Sequence, residues 1–322
     1  MNARFALARR DFHKELLQAT LVATKLKKNS GEESDSEEDD FDLKALGIAN
    51  DGLENSPPEL PMRLISNADS GNKASVALAW KVASKLGQVE TVAKKPPGQR
   101  LGDNFEKAVF HFLQATFPQL THLRPGNWKM DQITSRSGLG IASFQQYSHL
   151  SLLSDLVKEH KQLATALGNE YLVAPDIIIA RIPEEDPAIN VAESLIDDDV
   201  ATYSSLRKKA NPGPILHASV SCKWTIRSDR SQNSRSEALN LIRNRKGRNP
   251  HVIVVTAEPL PGRLASIALG TGDIDCVYHF ALHELMRAVD ELNLTDSADT
   301  LQMLVDGQRL RDVSDLPLDL AV

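Results

Sequence analysis

The sequence predicts a mixed α/β sheet with helices on both faces, on three observations. Short β-branched apolar runs at residues 171–182, 216–226, 251–257 and 275–279 read as strands. Longer segments with helical apolar spacing alternate with them, which is the pattern of a sheet covered by helices. A chain of 322 residues that is 41% apolar can also bury one sizeable core, so one main domain is expected.

Taken in order, residues 4–28 place Phe5, Leu7, Leu16, Leu17 and Leu21 among charges at helical spacing, and residues 1–28 are assigned to an N-terminal helix. Residues 29–42 are Ser, Asp and Glu with almost nothing to bury; an acidic disordered insertion with no catalytic role is expected there. Residues 43–322 are assigned to the main domain. It opens with Pro-rich and turn-forming stretches at 54–61 and 66–72. Helices are predicted over 75–86 and 103–115, each behind a capping residue, and over 147–167. The strand at 171–182 contains Pro175, so it should begin or bulge there. In the strand at 216–226, Ser219, Ser221, Lys223, Thr225 and Arg227 share one face, and Val220, Cys222, Trp224 and Ile226 the other. A helix over 229–246, ended by Gly247, follows, and helices at 281–292 and 298–305 close the chain.

Composition excludes several classes. Cys222 and Cys276 cannot make a disulfide framework, and neither has zinc-site spacing. No apolar stretch reaches the ~20 residues of a membrane helix, and the N-terminus lacks a signal-peptide apolar region. A cytoplasmic, prokaryotic location and no membrane contact are expected. The net charge of −6 conceals a division, because eight carboxylates and no cation fall in residues 29–42, leaving +2 for the rest. Between residues 221 and 251 there are eight Lys and Arg against two acids, a patch suited either to a phosphate backbone or simply to solvent.

Function is carried by Pro175-Asp176 at the mouth of one strand, Ser221-Cys222-Lys223 in the next, and Glu237 in the helix beyond. In-line hydrolysis of a phosphodiester needs a cation to neutralise developing charge, a second contact to that cation or to the attacking water, and a positive group near the nucleophile. Asp176, Glu237 and Lys223 supply these types if the strands pair, and the cation expected is Mg²⁺. Each also has an ordinary reading: Asp176 as a strand cap, Lys223 at the surface, Glu237 paired with Arg230 or Arg235. A lysine within an apolar strand is the hardest to read so, because an unpaired buried ammonium is costly. Cys222 faces away from Lys223 and is not expected to act as a nucleophile. Arg227-Ser228-Asp229-Arg230 follows at once. Arginine donates to O6 and N7 of guanine and a carboxylate accepts from N4 of cytosine, so this run suits adjacent G·C pairs in double-stranded DNA. Asp229 could equally cap the helix.

At these residues the sequence resembles the type II restriction endonucleases that read a CCGG core, and among them the tetrameric NgoMIV-type enzymes. The likeness runs over residues 66–322 and is densest in HASVSCKWTIRSDR, SEALNLIRNRKGR, VIVVTAEP and IALGTGDIDCVYHFAL. It implies a restriction-endonuclease-like, PD-(D/E)xK central sheet in which the acid usually two residues before the lysine is replaced by Ser221, and the helix Glu237 takes over its part. By resemblance, Asp176 and the backbone carbonyl of Cys222 hold Mg²⁺, Glu237 holds it through water, Lys223 orients water, and Glu106 is a further active-site acid. Arg227, Asp229 and Arg230 would read the inner pairs from the major groove, Gln99 the central pairs from the minor groove, and Asp69 with Arg263 the outer G·C pair. The implied enzyme is a homotetramer that cuts GCCGGC after the first G, leaving 5′-CCGG overhangs, in a host with a cognate methyltransferase. Residues 29–42 are a departure from the family pattern.

Alternatives are an endonuclease of other CCGG-core specificity and a catalytically silent DNA-binding protein. Intact Asp176, Lys223 and Glu237 argue against the second. An RNA-processing nuclease ranks last, since only 5% of residues are aromatic and no stacking platform is evident.

Overall fold

The computed structural model describes residues 3–25, 63–133, 139–159, 175–226, 228–270 and 272–322, with the side chains of 139 and 228–231 also left undescribed. The acidic stretch 29–42, the N-terminal part of the strand expected from 171, and Arg227 therefore lie outside the described residues. Among those described, the helices are α1 Arg4–Ala19, α2 Lys73–Leu86, α3 Gly98–Thr116, α4 His149–Glu159, α5 Asp186–Ile189, α6 Ser228–Asn244, α7 Pro261–Ala268, α8 Leu282–Glu291, α9 Thr295–Asp306 and α10 Leu316–Asp319. The strands are β1 Ala23–Lys25, β2 Arg63–Ile65, β3 Asn127–Gln132, β4 Ile177–Ile182, β5 Ile215–Lys223, β6 His251–Thr256, β7 Cys276–His279 and β8 Leu310–Asp312.

Six strands form the central sheet in chain order from β3 to β8, while β1 and β2 make a separate antiparallel pair. β3, β4 and β5 run antiparallel, whereas β5 through β8 are parallel. The parallel half is joined by α6, α7 and the α8–α9 pair, because parallel neighbours need crossover connections. Its strands read as continuous apolar runs because both faces are covered: Val252, Ile253, Val254 and Val255 are all buried. This is the mixed, helix-flanked sheet expected of a restriction-endonuclease-like fold.

Several boundaries move. The helix expected over 4–28 stops at Ala19, since Ala23, Thr24 and Lys25 form β1 and Ala23 pairs with Ile65. The helix expected from 103 begins at Gly98, directly behind Pro97, so Asp103 lies inside it and caps nothing. The helix expected from 75 begins at Lys73, where Asn72 Oδ1 accepts from the Ser75 N–H at 2.9 Å. Its expected cap gives way to Asn72 because the turn before it already fixes Asn72 extended. In β5 the chain leaves the strand after Lys223, so Thr225 does not continue the ladder. α6 ends at Asn244, before Gly247. β4 does begin near Pro175, at Ile177, as the proline led one to expect, and a further irregularity lies between Ile179 and Ala180.

α1 packs along α3, and Phe12 and Leu16 enter the same apolar core as the sheet. Arg9 clamps this helix to the far edge, donating to Glu284 (2.6 and 3.1 Å) and Asp312 (2.7 and 2.8 Å). Every partner in that cluster is largely buried, so the network sets the position of α1 more than a surface pair would.

Candidate active site

Antiparallel pairing of β4 with β5 puts Ile177 opposite Val220, which carries Asp176 alongside the end of β5. Asp176 Oδ2 accepts from the Cys222 N–H at 2.6 Å, and Lys223 Nζ stands 3.7 Å from the same oxygen. Glu237, more than two turns into α6, brings Oε2 to 4.0 Å from Lys223 Nζ. The structure thus joins Asp176, Lys223 and Glu237 around one ammonium. Glu237 is not the partner of Arg235, whose guanidinium turns inward to Asp273 (2.9 Å) and to the carbonyl oxygens of Ser266 and Leu269. Gly270 makes room for it: with φ +105°, a side chain there would also meet Arg235 at 3.0 Å. One cation of the expected phosphate-facing patch is therefore structural, because carbonyl groups at the end of α7 and a buried carboxylate claim it.

Glu106 reaches the site from α3. Gln132, the last residue of β3, donates to its Oε1 at 3.1 Å, and β3 itself reaches Asp176, whose carbonyl accepts from the Ile133 N–H. Next to Glu106, Phe105 packs its ring 5.3 Å from that of Trp224, which follows Lys223 directly. Sequence reasoning missed Gln132, because a polar residue ending a mixed polar strand carries no local signal.

Electrostatics follow from this crowding. Burial, then the charge of Asp176, pushes the Glu106 carboxyl up to about 7 despite the Gln132 hydrogen bond and Lys223. Glu237 is raised as well, by burial first and by Asp176, with Lys223 opposing. Three carboxyl groups share one lysine, an arrangement that favours a further cation. Ser221 Oγ is buried with no hydrogen-bond partner among the described residues. Burial and then the charges of Asp176 and Glu106 hold the Cys222 thiol well above its usual value, so it is no thiolate nucleophile. Among the described residues no three His, Cys, Asp or Glu side chains form a ready-made metal cage. An oxygen-only set of one or two carboxylates completed by water and substrate phosphate is nonetheless how Mg²⁺ is usually held, so the residues fit.

A second constellation lies past the end of β5. A cleft lined by Asn67, Asp69, Gly98, Trp224, Thr225 and Arg263 brings four distant segments together. In it Arg263 Nη2 donates to Asp69 Oδ2 at 2.6 Å. Arg263 sits in the first turn of α7, a helix that the loop-like Pro261-Gly262 concealed in the sequence, although proline at a first helical position signals one. Asp69 is fixed in its turn by the Gly71 N–H on Oδ1 and by Ser75 Oγ on its backbone N–H. Gln99 is exposed at the start of α3, beside Gly98 of the cleft. Asp229 and Arg230 fall in the first turn of α6, which begins at Ser228. No helix among the described residues is long and apolar enough to cross a membrane.

An aspartate at the mouth of β4, a strand lysine and a helix glutamate, gathered near an arginine–aspartate pair, form a group that could hold a divalent cation and contact a polyanion. Similarity to known proteins identifies the family. A family model described as NgoMIV restriction enzyme matches residues 58–322. The chain is 47% identical over 322 residues to the type II restriction enzyme NgoMIV of Neisseria gonorrhoeae, with the whole of both chains covered. The chain accordingly belongs to the NgoMIV restriction enzyme family and is a type II restriction endonuclease, a site-specific deoxyribonuclease.

Proposed function

We propose that the enzyme hydrolyses double-stranded DNA at GCCGGC, cutting after the first G to leave 5′-CCGG overhangs, with Mg²⁺ as its cofactor. The observation that carries this reading is the convergence of Asp176, Lys223 and Glu237 at the end of β5, one residue before the cleft that holds Asp69 and Arg263. When bound, Mg²⁺ supplies a Lewis acid that neutralises charge on the scissile phosphate. Asp176 and the Cys222 carbonyl would hold it, with Ser221 Oγ nearby and Glu237 reaching it through water. Lys223 orients the attacking water, and its charge stabilises the incoming oxygen. Glu106, with a carboxyl near neutrality, is placed to exchange a proton at the edge of the site.

Arg227, Asp229 and Arg230 read the inner pairs, and Gln99 the central pairs from the opposite groove. Support for a six-base site over a bare CCGG core comes from the Asp69–Arg263 pair. An arginine and a carboxylate side by side present the donors that guanine needs and the acceptor that cytosine needs, already in register. Arg263→Ala should relax only the outer G·C requirement. A homotetramer follows from the family resemblance, and the excursion between β4 and β5, where Val191, Leu195, Val200 and Tyr203 are 84%, 57%, 53% and 98% exposed, offers apolar side chains that an assembly could cover. A cognate methyltransferase would protect host sites in the cytoplasm. Digesting a plasmid of known sequence in Mg²⁺ and sequencing the ends tests the proposal. Ends beginning 5′-CCGG at GCCGGC alone are expected, and discrete ends at any other site would refute the base assignments.

A further inference from the structure

We infer that Glu258 is a positioning residue that locks the inner-base and outer-base reading segments to one another, an inference that rests on the base-reading assignment above. Glu258 follows β6 and is only 1% exposed. Its Oε2 accepts from the Ile226 N–H at 2.8 Å, immediately before Arg227, and its Oε1 accepts from the Leu260 N–H at 3.1 Å, where α7 and Arg263 begin. One carboxylate therefore holds both segments by their backbones.

The neighbouring atoms complete the corner. The preceding carbonyl, of Ala257, accepts from Asn67 Nδ2 at 2.7 Å, which ties in the turn that carries Asp69. Thr256 Oγ1 accepts from the Glu258 N–H at 3.2 Å. His279 Nδ1 accepts from the Ala281 N–H, so its Nε2 carries the proton and donates to the Glu258 carbonyl at 3.1 Å. The segments proposed to read the inner and outer pairs are thus all hydrogen-bonded to Ala257-Glu258, and none of these bonds touches Asp176, Glu237 or Glu106.

The side chain has to be a carboxylate. Both groups facing it are N–H donors, so a side chain that only accepts satisfies both, whereas glutamine would set its own NH₂ against one of them. Aspartate is one methylene too short to span the same two N–H groups. Burying a carboxylate is costly, and a residue serving only as filler would be apolar.

The test compares wild type, Glu258→Gln and Asn67→Ala by kcat/KM in Mg²⁺ on GCCGGC and on duplexes with one inner or one outer pair changed. Melting curves establish that each variant folds. Glu258→Gln should lower the ratio of cognate to changed-site cleavage about tenfold or more at both inner and outer positions. Asn67→Ala should lower it at the outer pair alone. A uniform rate loss with every ratio intact would mean that Glu258 is merely structural and would overturn the inference. Should Glu258→Gln fail to fold, Asn67→Ala decides: a fall confined to the outer ratio upholds the corner, and no change discards it. Arg263→Ala with an unaltered outer requirement would instead remove the base-reading assignment, and the inference with it.

Discussion

Glu106 and Glu237, the two raised carboxyl groups beside Lys223, make the stability of the metal-free enzyme fall as pH rises, and Glu106 allows that fall to be measured. Its folded pKa of about 7 lies above the ordinary 4.5. Between those values the native state binds the proton that the unfolded chain has released. Stability from this group is full below about pH 4.5 and is lost as pH climbs through 7. The shift corresponds to roughly 3 kcal/mol at most, and partial exposure of the side chain trims it to about 2. Glu258, raised to about 7 chiefly by burial against the opposing charge of Arg263, adds a loss of the same sign, as does Glu237. Urea unfolding in EDTA at pH 5, 6, 7 and 8 should show wild type losing stability steadily, with Glu106→Gln losing about 2 kcal/mol less. Glutamine keeps an oxygen for the Gln132 amide, so the variant removes the titration and spares the packing. Saturating Mg²⁺ should flatten the wild-type slope, because a bound cation favours the ionised carboxylates. An identical pH slope in the variant and wild type would refute the electrostatic account of the site.

Asp176→Asn should cut at least about a thousandfold more slowly in Mg²⁺ yet still shift the mobility of a GCCGGC duplex in Ca²⁺, and undiminished cleavage would show that the metal ligand is misplaced. Arg9→Ala strands Glu284 and Asp312 in a buried setting and should cost about 3 kcal/mol by thermal or urea denaturation. A loss within 0.5 kcal/mol, about what an ordinary surface substitution costs, would mean that the cluster is energetically idle. Burial works to raise the Asp312 carboxyl, but the Arg9 hydrogen bond and charge prevail and hold it near 2, so the wild type should also lose stability as pH drops from 3.8 toward 2. Deleting residues 29–42 should leave site-specific cleavage intact, and loss of site preference in a plasmid digest would assign that acidic stretch a part in recognition.

The proposed catalytic group was legible because its parts are close in sequence or lie on strongly patterned elements. The run from Ser221 through Glu237 is one strand and one helix, and the apolar run after Asp176 marks its partner strand. What escaped depends on distance. β3 is an edge strand of alternating burial, and its Asn127–Gln132 sequence is too polar to announce itself. β8 has three residues, below any periodicity. Arg235 looked like a phosphate ligand in a basic run because nothing local reveals that Asp273 and the end of α7 will enclose it. Glu258 stood unmarked beside a proline loop, since its two donors lie 32 residues before it and 2 after it. A buried carboxylate defined by non-local N–H groups leaves no spacing to recognise.

The order of residues along one short excursion explains how reading a base can govern cutting. Lys223 ends β5 and Glu237 sits in α6, and the residues proposed to read the inner pairs fall between them. Trp224 is packed against Phe105, the neighbour of Glu106, while the Ile226 N–H is held by Glu258. The excursion is therefore anchored twice just before residue 227, once to α3, which carries Glu106, and once to the corner that carries the residues proposed to read the outer pair. A mismatched pair that displaces the residues at 227–230 must strain an anchor or tilt the start of α6, and α6 carries Glu237. Displacements of about 1 Å suffice to cost two orders of magnitude in an oriented reaction. Discrimination in this enzyme should consequently be larger in the cleavage rate than in binding, and rapid-quench measurement of cleavage beside equilibrium binding in Ca²⁺ on the same mismatched duplexes separates the two. Equal discrimination in both would show that reading and cutting are independent.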